Sequence, residues 1–147
     1  MKIIVLLKLL LLCCLVSCSV KNMQQSNGWY YTQSIQQNIF IKEPIVLVED
    51  FYAIKLDSFR SRNDNGTIYQ ITGSLNNGKV KYWENATKKA IGQEMKFVFK
   101  NNVLSTQLVN NQIKNGRFCF TFSKKDLSGM SAIQVFNLLR IEMRKNK

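Results

Sequence analysis

Apolar and polar positions alternate with a period of two along much of this chain, and twice the pattern changes to apolar positions at helical spacing. Trp29-Tyr30-Tyr31, then Ile39, Ile41, Ile45 and Leu47 around Pro44, predict strands or extended segments over residues 28–33 and 35–47. Pro44, the one proline, has no N–H for a central ladder and marks an edge position. Over residues 51–59 the apolar positions Phe51, Ala53 or Ile54, Leu56 and Phe59 are spaced loosely enough for a strand or an irregular helix. Asn63-Asp64-Asn65-Gly66 is a strong turn signal, and residues 67–75, with Ile68, Tyr69 and Ile71, read as a strand, so a hairpin is expected there.

The first helical pattern covers residues 78–91, where Val80, Trp83, Thr87, Ala90 and Ile91 share a face and Asn76-Asn77 supply a cap. Gly92 stops it. Met95, Phe97 and Phe99, a turn at Asn101-Asn102, and then Leu104 and Leu108 predict a second hairpin, and residues 117–122 predict a further strand after the Asn115-Gly116 break. Ser131 with Gln134 is a capping-box signature opening a helix through Ala132, Val135, Phe136, Leu139 and Met143. Together these elements predict an α+β domain over residues 29–147, a mostly antiparallel sheet with two main helices packed on one face. At 147 residues a second domain is not expected.

The amino terminus has a different texture. Met1 to Ser17 begins with Lys2, runs through an apolar stretch from Ile3 to Val16 broken only by Lys8, and ends in small residues, which is the pattern of a removable signal peptide. The stretch is short for a membrane span of roughly 20 residues, so no transmembrane helix is expected in the mature chain. Its end, Leu15-Val16-Ser17-Cys18, resembles the lipobox of bacterial lipoproteins, which implies acylation of Cys18 and cleavage before it. The polar, aperiodic residues that follow make 18–28 a flexible tether. The expected location is a bacterial membrane, lipid-anchored and facing the periplasm, with inner and outer membranes both open. Several acyl chains at about 0.8 kcal/mol per buried methylene hold such an anchor stably.

Charge is uneven. Residues 19–78 hold five Lys or Arg against five Asp or Glu, whereas residues 79–147 hold 14 against four. A candidate basic face is Lys79, Lys81, Lys88, Lys89, Lys96 and Lys100, which would suit anionic lipid or polymer. The plainer reading is that of solvated lysines, since no basic run exceeds two residues.

Candidate chemistry is sparse. With no histidine the commonest general base and the usual triads are missing, and no phosphate loop or dinucleotide fingerprint occurs. Glu49-Asp50 are adjacent and read as a turn or cap, and the 63–66 turn lacks the spaced acidic ligands of a calcium loop. Cys119 lies among aromatics and reads as a buried core thiol. Tyr82, Trp83, Phe97 and Phe99 interleave with lysines but fall at buried positions of their elements, so core packing is expected and nucleic acid is not. No enzyme activity, catalytic residue, cofactor or metal is expected.

Glu43-Pro44 followed by Glu49-Asp50-Phe51, a helix ending Ala86-Thr87 before Gly92, strands at 95–99 and 103–105 joined by Asn101-Asn102, and then Ile113 and Gly116 form an ordered set. In that order and spacing the chain resembles the periplasmic P1 head domain of the SecD/SecDF protein-export factors. The resemblance implies a lipid-anchored envelope protein acting by protein contact as an accessory to export, with exported polypeptide or the translocon as partner. It departs from the family at Thr106-Gln107, where a small-residue and proline turn is usual, and near Thr121, where a glycine is usual. The transmembrane helices that drive SecD-type proteins are also missing. Replacing Cys18 with serine (Cys18→Ser) is expected to abolish incorporation of labelled palmitate and release the chain from the membrane fraction; retained label would overturn the lipobox reading.

Overall fold

The computed structural model describes residues 26–32, 35–36, 39–40, 43–62, 66–123 and 129–145. The signal segment, Cys18 and the tether before Ser26, and the Asn63-Asp64-Asn65 part of the turn, lie outside the described residues. The elements in chain order are β1 (Gly28–Tyr31), β2 (Ile35–Gln36), β3 (Ile39–Phe40), β4 (Val46–Leu47), a 3-10 turn (Val48–Asp50), β5 (Phe51–Arg60) and β6 (Thr67–Leu75). After these come α1 (Asn77–Lys89), β7 (Glu94–Phe99), β8 (Asn102–Leu108), β9 (Arg117–Ser123) and α2 (Ala132–Glu142).

Every strand pairing among these elements is antiparallel, so the α+β class and the antiparallel character are as expected. The main strands are divided, however, between a four-stranded sheet ordered β4-β1-β7-β8 and a three-stranded sheet ordered β5-β6-β9, with β2 and β3 forming a small separate pair. The division follows from the chain path. After Leu108 the chain leaves the β7–β8 hairpin, runs beside α1, and returns as β9 along β6 rather than along β8, although β8 and β9 are close neighbours. Segment 51–60, ambiguous by spacing, is a strand because Ile71 and Leu75 of β6 are buried opposite it and fix its register. β4, which follows Pro44, is an edge strand, as a residue without an N–H favours.

Both sheets and both helices supply one core. Trp29 is at its middle, with ring centroids 5.7 Å from Trp83, 5.4 Å from Phe97 and 5.9 Å from Phe120. Phe97 stacks on Phe120 at 4.1 Å and on Phe51 at 6.1 Å, so aromatic contacts connect the two sheets directly. Helix α1 buries Trp83, Ala86 and Thr87, and α2 buries Ala132, Val135 and Leu139, each a stripe at three- and four-residue spacing.

Parity decides β9. Phe118, Phe120 and Phe122 take the buried face, leaving Cys119 exposed on the other; the expectation of a buried thiol is corrected. Three aromatics of one parity remove far more apolar area from water than one cysteine of the other. Tyr82 and Ile91 are likewise exposed: Tyr82 neighbours the buried Trp83 but faces away from the core, and Ile91 lies past the end of α1. Trp83, Phe97 and Phe99 are buried as read.

Local signals fix the ends. Ser131 Oγ accepts the Gln134 N–H at 3.2 Å while Gln134 Oε1 accepts the Ser131 N–H at 2.7 Å, the reciprocal capping box. The β7–β8 turn falls at Lys100 (φ 48°) and Asn101 (φ 63°), one residue earlier than expected, because Asn102 already pairs with Phe99. Phe97→Ala is expected to destabilise the fold by about 3–5 kcal/mol in denaturant titration, whereas Tyr82→Ala should stay within about 0.5 kcal/mol.

Candidate functional site

Among the described residues a surface cleft lies where α1, the end of β8 and the start of β9 meet. Its roof is the 109–116 segment, which the chain pins to α1. Thr87 Oγ1 donates to the Trp83 carbonyl at 3.0 Å and accepts the Ile113 N–H at 3.0 Å, and Gln112 Nε2 donates to Glu84 Oε1 at 3.1 Å. The other Glu84 oxygen holds Lys81 Nζ at 2.8 Å, and this bond keeps the Glu84 carboxyl below its ordinary range. The segment ends at Gly116 (φ 65°), where a β-carbon would come 2.8 Å from Val80 Cγ2; only glycine meets both demands. Trp83 Nε1 donates to the Arg117 carbonyl at 3.1 Å and fixes the helix against β9.

Beneath this roof is a cleft of about 290 Å³ with Trp29, Trp83, Met95 and Phe118 in its apolar wall and Gln107, Asn110 and Asn111 among its polar lining. Leu108 lines it and is 58% exposed, so the cleft opens at the end of β8. The Trp29 Nε1–H is buried with no nitrogen or oxygen acceptor among the described residues, an arrangement that costs about 1–3 kcal/mol. Size and lining suit an apolar side chain carried by a segment with its own amide groups. Sequence spacing gave Trp83 and Phe97 as core but did not reveal the cleft, which depends on the crossing of 109–116 over α1. Leu108, read beside Leu104 as an apolar position of the hairpin, is instead exposed at the cleft.

The six candidate basic residues are not gathered. Lys79 Nζ lies 3.4 Å from Asp50 and Lys81 Nζ 2.8 Å from Glu84, which neutralises both. Lys88 and Lys89 are exposed at the C-terminal end of α1, where the helix dipole favours them. Lys96 follows the buried Met95 and precedes the buried Phe97, so it projects from the opposite side of its sheet, and Lys100 sits in the β7–β8 turn. Glu49 and Asp50 are part of the 3-10 turn, with Asp50 Oδ2 accepting the Leu47 N–H at 2.9 Å, a turn role as read from sequence. Among the described residues no three of Cys, Asp and Glu converge in a metal-binding group, and no helix is long and apolar enough to cross a membrane.

A second polar feature sits where the chain enters the domain. Asn27 Nδ2 donates to both Glu142 oxygens, at 2.9 and 2.7 Å, while its Oδ1 accepts the Lys100 N–H at 2.6 Å. Burial outweighs these bonds and raises the Glu142 carboxyl above its ordinary value. Nearby, burial and then Glu43 push the Tyr30 phenol up to about 12; its hydroxyl donates to the Ser26 carbonyl at 2.7 Å.

No protein-family model matches the chain, and no curated protein does. Two solved structures are similar at 14% sequence identity over 71% of this chain. One is SecDF in its super-membrane-facing form, with a TM-score of 0.48, and the other is SecDF described as a membrane component that enhances protein export, with a TM-score of 0.49. The chain spans 13% and 42% of the lengths of those two chains.

A carboxyl with a raised folded-state value adds stability below its unfolded value and loses it as pH rises through the raised value. Glu142→Gln removes that titration, so its stability relative to the parent chain, read by urea denaturation, should be more favourable at pH 7 than at pH 4. An equal difference at both pH values would remove Glu142 as the responsible group.

Proposed function

We propose that this protein works by contact and not by catalysis: a lipid-anchored envelope protein whose cleft holds an apolar side chain of an extended polypeptide. The observation that carries the reading is the cleft itself, an apolar wall of two indoles, Met95 and Phe118 opening between polar amides at the exposed Leu108. Such a mixture accepts a side chain and hydrogen-bonds the backbone that bears it, with little demand on sequence. The lipobox-like ending at Cys18 supports a place at a bacterial membrane surface, facing the periplasm. The ordered residues from Glu43 to Gly116 that resemble the P1 head point to exported chains, or the machinery that moves them, as the partner class.

A different reading, a basic face on anionic lipid or polymer, draws less support. Two of its six lysines are spent in ion pairs and Lys96 leaves the other side of a sheet from α1. The readings separate in cells. With a photo-crosslinking residue in place of Leu108 in the full chain, mass spectrometry should recover exported polypeptides or translocon subunits, and Trp83→Ala in the same background should reduce the yield several-fold. Crosslinks confined to lipid or wall polymer would end the proposal in favour of the anionic-surface reading.

A further inference from the structure

β5 is ten residues long and forms one edge of its sheet, with β6 on its inner side and no strand on its outer side among the described residues. Long edge strands present a row of main-chain donors and acceptors to other chains, and proteins usually shorten, cover or disrupt them. Here the irregularity lies at one end, between Phe51 and Ala53, and the ladder from Ala53 to Arg60 is regular.

We infer that the outer edge of β5 pairs antiparallel with β5 of a second copy of this chain, about a two-fold axis through Leu56. An axis perpendicular to the sheet preserves which face each side chain occupies, so a strand can pair with its own copy only in registers centred on a residue. Centring on Leu56 sets residues 53–59 of one copy against 59–53 of the other and so uses most of the regular strand. In that register Lys55 stands opposite the second copy's Asp57, and Asp57 opposite the second copy's Lys55. Both side chains lie on one face of the strand, as their 2.9 Å ion pair within one copy shows, and both are well exposed. An exposed pair of this kind contributes little by itself, so exchanging it for two cross-strand pairs loses nothing. Ala53 comes opposite the second copy's Phe59, a small residue against a ring that is 48% exposed in the single chain.

The charges also select the occupant. Centring the pairing on Lys55 or Asp57, a slip of two residues, sets like charge against like, and centring it on Ile54 or Ser58, a slip of four, leaves both unopposed, so the Leu56 register is the favoured one. An unrelated extended chain would match a Lys-x-Asp strand only by chance, whereas a second copy matches it by symmetry. The product is a continuous six-stranded sheet in the order β9-β6-β5-β5-β6-β9.

Sedimentation of the full chain in detergent solution tests the pairing. The parent chain should dimerise reversibly. Lys55→Glu and Asp57→Lys each place two like-charge pairs across the axis and should weaken self-association by about tenfold or more. Mixed together, these two variants restore opposite charges at both contacts and should form heterodimers of parental affinity. The double exchange Lys55→Asp with Asp57→Lys should also dimerise like the parent, which keeps the test decisive if one single variant unfolds. A parent chain that stays monomeric at all concentrations, single variants that dimerise as the parent does, or folded variants that ignore each other on mixing would each overturn the inference.

Discussion

The ring contacts of Trp29 hold this fold together. One indole on a four-residue strand touches α1 through Trp83, its own sheet through Phe97 and the other sheet through Phe120. Neither sheet can bury its apolar side alone, and β8 and β9 are neighbours without a ladder to bind them, so it is side chains that make two sheets into one core. Aromatic rings suit that role because they carry large apolar area and tolerate tilted and edge-on contacts at 5 to 6 Å, where aliphatic chains would leave gaps.

The same arrangement explains what was legible in the chain. Elements whose partners are local were readable: the Ser131 to Gln134 cap, the stop at Gly92, the β7–β8 hairpin and the buried stripe of α2 all follow from a few consecutive residues. What escaped reading depended on distant pairing. Whether β9 follows β8 or β6 cannot be seen in Phe118, Phe120 and Phe122, which suit either neighbour, and the burial of Cys119 turned on which parity the core took. The face of lysines was drawn along the sequence, but a strand reverses direction at every residue, and Met95 and Phe97 had already assigned Lys96 to the other side.

The cleft follows from a chain crossing, not from a motif. Thr87, Glu84 and Val80 are ordinary residues for a helix, yet each meets a specific demand of the 109–116 segment: a hydroxyl for Ile113, a carboxylate for Gln112 and a methyl that only Gly116 can accept. Their joint effect is to hold a strip of polar backbone above an apolar floor. That contrast between floor and roof is the basis of the contact function proposed above.

The entry knot at Asn27 has a mechanical consequence. Force on the chain before Ser26 reaches the fold at Asn27 and is divided at once among the C-terminal turn of α2 through Glu142, the β7–β8 turn through Lys100, and β1 itself. Because β1 lies between β4 and β7 in its sheet, a pull along its axis loads the ladder bonds on both sides in shear, all together, instead of peeling them one at a time. A domain pulled from that end would therefore yield last near Asn27.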